Sequence, residues 1–240
     1  LWDTKVVVIL LPLMFLVLYR RELITRPHLG ILGVVVGGLL TFAAGYAYLE
    51  LSKKRLGDEI ADTLAYNVYQ KGYGNYVLNR TSVLTFWAER QGANDPVSLV
   101  FGNGLGSAQT SASFVPGHIA AKYPGYGIGL TAASTLLWET GLVGFGLFFG
   151  VLAGAWRCAG RLRRFAVEPA VRADAAAIQT AMALFAFYPF YRISLLDALP
   201  FQIIFTALLG YLAWLHIHLS KTPAQYSNLT ASEAISGKAS

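Results

Sequence analysis

The longest stretches without a charged residue decide what this chain can be. Leu29 to Leu49 runs 21 residues, and Ala198 to Ile217 runs 20, without Asp, Glu, Lys or Arg. A helix crossing the hydrocarbon core of a bilayer needs about 20 mostly apolar residues. Tyr126 to Trp156 contains a single charge, Glu139. Ala175 to Tyr191 is an uncharged run of 17 residues, and Val6 to Tyr19 is one of 14 that Leu1 and Trp2 extend. These segments predict an all-α integral membrane protein with about five transmembrane helices. Composition agrees: 13% of the residues are charged, where a soluble domain carries about 25%.

The order of the segments predicts two transmembrane helices in 1–49 and an extracytoplasmic loop with amphipathic helices in 50–125. Three more transmembrane helices follow in 126–218, then a disordered tail in 219–240 that is rich in Ser, Thr and Ala. The chain starts at Leu1 and turns apolar almost at once. It is expected to be the C-terminal part of a longer membrane protein. One cysteine, Cys158, excludes a disulfide framework or a cysteine-based zinc site.

Lysine and arginine in short loops set orientation. Arg20, Arg21 and Arg26 follow the first segment, and Arg157, Arg161, Arg163, Arg164 and Arg172 follow the third. Both loops are expected in the cytoplasm, which puts 50–125 outside. That outer segment holds seven Lys/Arg and six Asp/Glu, too balanced to mark a polyanionic partner such as nucleic acid. Leu56, Ile60, Leu64 and Val68 recur every four residues, the pattern of a helix lying on the membrane surface. Gly33 and Gly37, and Gly146, Gly150 and Gly154, stand four apart, a spacing that lets transmembrane helices approach closely.

The outer segment also carries the candidate chemistry. Arg80, Val83, Trp87 and Arg90 fall at i, i+3, i+7 and i+10, which places both guanidinium groups and the indole on one helical face. A guanidinium grips phosphate oxygens through a planar fork of donors. The same spacing also suits an ordinary amphipathic helix with solvated arginines. Gly102, Gly104 and Gly106 mark a tight turn whose backbone N–H groups are a candidate anion cradle. No βαβ pattern or Gly-Lys-Ser/Thr surrounds it, so it is no nucleotide fingerprint. His118 is a candidate general base near neutral pH, with Lys122 four residues on as added positive charge. Glu139 in an apolar run is expected to be protonated, paired or functional, because a bare charge in hydrocarbon costs at least a few kcal/mol. Arg192 is expected to cap the fourth membrane helix and pair with Asp197, or else to reach the same cavity as a further phosphate ligand. His28, His216 and His218 read as interfacial.

From Arg80 to about Gly146 these residues resemble the O-antigen ligase and O-antigen/exopolysaccharide polymerase superfamily of bacteria. The likeness lies in Arg80 and Trp87 seven apart, the Gly102-x-Gly104-x-Gly106 turn, and Glu139-x-Gly141-x-x-Gly144. The family often has His-Asn nine residues before the Glu; here Leu130 and Thr131 stand there. The resemblance implies a multi-pass protein of the bacterial inner membrane that transfers glycan from undecaprenyl pyrophosphate without metal or other cofactor. In that light Arg80, His118 and Glu139 are the catalytic candidates. Arg90, Trp87, Lys122, Arg192, Gly102, Gly104 and Gly106 are the substrate-binding candidates. The implied partners are the lipid-linked glycan, the bilayer, and a chain-length regulator or other polysaccharide-assembly membrane protein. The competing reading is a non-enzymatic transporter or flippase subunit for the same lipid-linked sugars.

The orientation is directly testable. A reporter fused after Arg164 should read out cytoplasm, and one fused near Asn94 should read out the outer side. The reverse pattern would put the arginines in the wrong compartment for lipid-linked polymer.

Overall fold

Apolar runs can satisfy their backbone groups inside a bilayer only as helices, and helices are what form. The computed structural model describes residues 4–25, 74–91, 95–110 and 115–236, with isolated positions among 28–46 and residue 72. Among them the elements are α1 (Thr4–Thr25), α2 (Ser82–Gln91), α3 (Pro96–Phe101), α4 (His118–Lys122), α5 (Ala132–Phe165), α6 (Pro169–Phe187), a 3-10 turn (Tyr188–Phe190), α7 (Ser194–Asp197) and α8 (Leu199–Ser236). No strand occurs among the described residues. Three stretches are long and apolar enough to cross a membrane: Ala132–Phe165, Pro169–Phe190 and Leu199–His218. The surface helix expected around Leu56–Val68, and most of the span expected at 29–49, lie outside the described residues.

The last helix departs from expectation. Its helical backbone runs to Ser236, through most of the stretch expected to be disordered. Once a membrane helix is nucleated, each added residue costs little.

Two clusters of buried side chains organise the chain. The membrane cluster joins Leu152, Ala155, Ala159 and Leu162 of α5 to Ala175, Ile178, Met182 and Phe185 of α6, with Leu195 of α7 and Leu212 and Leu215 of α8. Small residues at the contact let the α5 and α6 backbones come close, which is how helices associate in lipid. Gln179 is fully buried there and donates its side-chain N–H to the Trp156 carbonyl at 3.3 Å. Gly160 leaves room for it, since a Cβ at 160 would lie 2.9 Å from that nitrogen. α1 packs on α6. Arg163 donates to the carbonyls of Val17 and Leu18, and the Arg20 guanidinium lies 5.3 Å from the Trp156 ring centre. The arginine-rich ends of α1 and α5 therefore sit at the same level.

The second cluster is a small lobe of loops and short helices on the first part of α5. It buries Leu78, Val83, Phe86, Trp87, Ala108, Ala120, Ile128, Leu137 and Trp138. The lobe depends on a break in α5. The helix begins at Ala132, with the Thr131 hydroxyl accepting the Ser134 N–H at 3.1 Å as N-cap. At Gly141 the backbone leaves helical geometry, with φ 62° and ψ −162°, a region open to glycine alone. Without the break, α5 would be about 51 Å long against a hydrocarbon core of about 30 Å. With it, α5 is divided into segments of about 14 Å (132–140) and about 36 Å (142–165), and Leu137 and Trp138 of the first pack in the lobe.

The break also lets two distant parts of α5 meet one turn. The Ala132 N–H donates to the Arg192 carbonyl at 3.2 Å, and the Phe149 ring lies 5.8 Å from that of Phe190. Along a straight helix those two residues would stand about 25 Å apart.

A Cβ at Gly141 would lie 2.5 Å from the Gly102 nitrogen and the Val100 oxygen, both backbone atoms. Gly141→Ala should therefore destabilise the protein by about 2–5 kcal/mol through strain and overlap. Gly210 on α8 meets nothing within 4 Å, so Gly210→Ala should be neutral. Thermal melting of both variants in detergent checks the contrast.

Candidate functional site

The short helix α2 begins at a cap the sequence reading overlooked. The side-chain oxygen of Asn79, itself buried, accepts the N–H groups of Thr81 at 3.0 Å and Ser82 at 2.7 Å. The Asn79 N–H in turn donates to the Ser82 hydroxyl at 2.7 Å. This reciprocal cap closes the helix start and fixes the chain direction at Arg80. Backbone bonds from Val77 to the Gly125 carbonyl (3.0 Å) and from Leu78 to the Tyr126 carbonyl (3.2 Å) tie the approach down.

Arg80 is thereby delivered to the turn after α6. Its Nε donates to the Tyr191 carbonyl at 2.7 Å, and its guanidinium carbon lies 4.1 Å from the centre of the Tyr191 ring. A hydrogen bond and a cation–π contact to one residue hold the planar fork in a single pose. Arg192 is next in the chain, is exposed, and receives the first N–H of α5 on its carbonyl. Arg80 is thus drawn to the turn that carries Arg192, whose carbonyl meets the N-terminal end of α5, where the helix dipole is positive. Sequence reasoning singled out both arginines but not Tyr191, which joins them.

The other half of the expected arginine pair does not converge. Arg90 sits in the last turn of α2, exposed, with its guanidinium 5.3 Å from the Phe86 ring centre. Arg80 precedes α2 and Arg90 lies in its last turn, so the helix from Ser82 to Arg90, about 12 Å long, stands between them. Trp87 lies between them and is buried in the lobe core with Val83 and Phe86. Its indole N–H, like that of Trp138, meets no acceptor among the described residues. Phe86, Tyr123, Tyr126 and Trp138 pack around one another with ring centres 5.1 to 6.3 Å apart.

The glycine turn does something other than cradle an anion. The Asn103 N–H and side-chain N–H both donate to the Trp138 carbonyl, at 2.8 and 2.9 Å, and the Gly104 N–H donates to the Glu139 carbonyl at 3.0 Å. These carbonyls lose their usual partners because α5 breaks two residues on. The Gly102 N–H donates to the Ser98 carbonyl. The N–H groups of Asn103 and Gly104 thus close the loop on the broken helix, while that of Gly102 caps α3. Gly102 (φ 76°) must be glycine, because a Cβ there would lie 2.4 Å from the Glu139 carbonyl. Gly104 and Gly106 also have positive φ but meet nothing within 4 Å, so their requirement is conformational. Asp95 prepares the turn by capping α3, accepting from the Ser98 N–H at 3.1 Å and hydroxyl at 2.6 Å. Those bonds hold its carboxyl below the usual carboxylate range. The cap is in force above the ordinary Asp range and is lost only as pH falls through that lowered value.

The same loop carries the other candidates. The Ser107 carbonyl accepts the N–H groups of Ile119 and Ala120, both at 3.1 Å. This fixes α4, with His118 exposed at its start and Lys122 exposed at its end, 5.7 Å from the Tyr123 ring centre. Glu139 is half-buried at the break. It is the eighth residue of a helix that starts at Ala132 rather than near Tyr126. It therefore lies about 10 Å along α5, beside the lobe, rather than about 20 Å into an apolar helix. One loop thus anchors both His118 and Glu139, while the 188–192 turn anchors Arg80 and Arg192. Leu130 and Thr131 take no part in acid–base chemistry: the Leu130 N–H closes a turn onto Gly127, and Thr131 is the N-cap. No group of three His, Cys, Asp or Glu is arranged to hold a metal ion among the described residues.

Comparison with protein-family models, curated proteins and solved structures finds no match to this chain.

The burial of Trp87 separates packing from ligand contact. Trp87→Ala should cost about 3–5 kcal/mol. Trp87→Phe, which keeps one aromatic ring in the core and gives up the indole N–H and the volume of the second ring, should cost about 1–2 kcal/mol, well short of the Ala variant. Denaturation in mild detergent measures both. A Phe variant as damaged as the Ala variant would mean that the indole N–H has a partner of its own.

Proposed function

We propose that the chain is the C-terminal half of a bacterial inner-membrane glycosyltransferase, which polymerises or ligates surface polysaccharide carried on undecaprenyl pyrophosphate. In this reading the protein has five spans in 1–218, the 50–125 loop faces the periplasm, and the lobe forms the outer floor of the site. The observation that carries it is the guanidinium of Arg80, fixed on the carbonyl and ring of Tyr191, the residue before Arg192 in the chain. A planar cation held in one pose at the outer end of a membrane helix suits the pyrophosphate of a lipid-linked sugar.

The chemistry follows from charge. The acceptor hydroxyl attacks the anomeric carbon of the donor sugar, the bond from that carbon to the pyrophosphate oxygen breaks, and the configuration inverts. Negative charge grows on the leaving pyrophosphate, and Arg80 and Arg192 meet it with positive charge already in place. The hydroxyl proton goes to a base, Glu139 or His118. The loop from Gly102 to Gln109 holds both to the same lobe, so one rigid unit positions either candidate. Arg90, at the far end of α2, serves at most to orient the donor.

The test is glycan chain-length profiling in a strain that depends on the full-length protein. Arg80→Ala and Arg80→Lys should each lower turnover by about a hundredfold or more, about 2.7 kcal/mol, because a point charge does not replace a planar fork. Arg90→Gln should change turnover by less than about threefold, well under 1 kcal/mol. Membrane protein level is measured in parallel to exclude misfolding. Loss of polymer identifies a polymerase, and unattached polymer identifies a ligase. Full-length, attached polysaccharide in an Arg80→Ala strain with normal protein level would refute the reading.

A further inference from the structure

The outward face of α5 holds an arrangement the proposed activity does not use. At about 100° per residue, Val143, Gly146, Gly150, Gly154, Arg157, Arg161 and Arg164 fall within a sector of about 80°. All seven are exposed. A Cβ at Gly146, Gly150 or Gly154 would meet nothing within 4 Å, so nothing described in the chain covers this trough. Leu147 and Val151, 67% and 50% exposed, wall one side of it. The opposite side of α5 carries the contacts to α6 through Leu152, Ala155 and Ala159. Arg163, on that inner side, is spent on the α1 carbonyls of Val17 and Leu18.

The trough therefore runs from just past the break at Gly141 straight into three outward-facing guanidinium groups. From Gly146 to Arg157 is about 16 Å, close to half of a hydrocarbon core of about 30 Å. That is the depth of one leaflet's acyl layer. Nearby carboxylates are few: Glu168 is exposed just past the helix end, and Asp174 accepts the Tyr211 hydroxyl at 2.6 Å.

We propose that this face binds an anionic phospholipid, with an acyl chain lying along Gly146, Gly150 and Gly154 and its phosphate held among Arg157, Arg161 and Arg164. Charge complementarity selects this occupant. A second copy of the chain pairing through the same stripe in the same membrane would obey two-fold symmetry. It would bring two sets of three arginines face to face, with no described acidic stripe to offset them.

The experiment is native mass spectrometry of the purified full chain in detergent, titrated with phosphatidylglycerol or phosphatidylcholine of identical acyl chains. In detergent the result does not depend on how the variants insert. Phosphatidylglycerol should bind preferentially. Each arginine near an anionic headgroup is worth about 1 kcal/mol, so Arg161→Gln should weaken phosphatidylglycerol about fivefold and leave phosphatidylcholine unchanged. Replacing Arg157, Arg161 and Arg164 together with Gln should abolish the preference. Gly150→Leu, which fills the trough and keeps every charge, should weaken both lipids; it carries the test if the triple variant does not accumulate. Equal binding of the two lipids, or a preference that survives the arginine replacements, overturns the proposal. So does a dimer mass that Gly150→Leu removes, which would make the stripe a self-association face.

Discussion

The interaction on which the rest of this structure depends is the docking of the Gly102–Gly104 loop onto the break in α5. A helix that stops short inside a protein leaves carbonyl groups without partners, and burying them so is costly. Here the backbone N–H groups of Asn103 and Gly104 answer the carbonyls of Trp138 and Glu139. Glycine is required on both sides of the junction, at 102 and 141, because the two backbones meet where any Cβ would overlap main-chain atoms. The break divides α5 into a short first segment and a longer second one. It also frees residues 132–140 to form the floor of a folded lobe, and it sets Glu139 at the seam.

The arginines show how one side chain serves different ends according to where the fold puts it. Arg163 points inward and donates to backbone carbonyls of α1, holding two helices together at one end of the bundle. Arg157, Arg161 and Arg164, on the same helix and within two turns of it, face outward. Arg80 is fixed by a backbone carbonyl and an aromatic ring 111 residues away in the chain. All are charged at any accessible pH, so position alone sets what each can bind. A guanidinium held in one pose suits a compact anion, whereas a row of exposed ones at a helix end suits the headgroup of a lipid.

The helical nature of the chain and its membrane-competent segments near 132–165, 169–190 and 199–218 were legible because the signal is local. Twenty apolar residues cannot leave their backbone unsatisfied in lipid, whatever surrounds them. Arg80 and the Gly102–Gly106 turn were also legible as places of interest, since guanidinium groups beside aromatics and clustered glycines are uncommon in a chain this apolar. Spacing misled where it assumed one uninterrupted helix. Arg80 and Arg90 share a helical period, yet Arg80 precedes the helix as part of its cap, and only Trp87 and Val83 of that face turn into the core. Glu139 looked like a charge deep in a span, because nothing local in Glu139-Thr140-Gly141 reveals that the helix breaks there.

By itself, the sequence determined that the described chain is helical, that its last three long apolar stretches are helices long enough to cross a membrane, and where the arginines cluster. These follow from solvation of backbone and charge, which depends on runs of neighbouring residues. Only the tertiary structure decided that Arg80 rests on Tyr191, that α4 and Glu139 hang on one loop, and that the Gly104 N–H answers a carbonyl at the break in α5. Those outcomes depend on contacts between residues 12 to 111 positions apart. Such contacts are selected by packing around a shared core, and no periodicity along the chain encodes them.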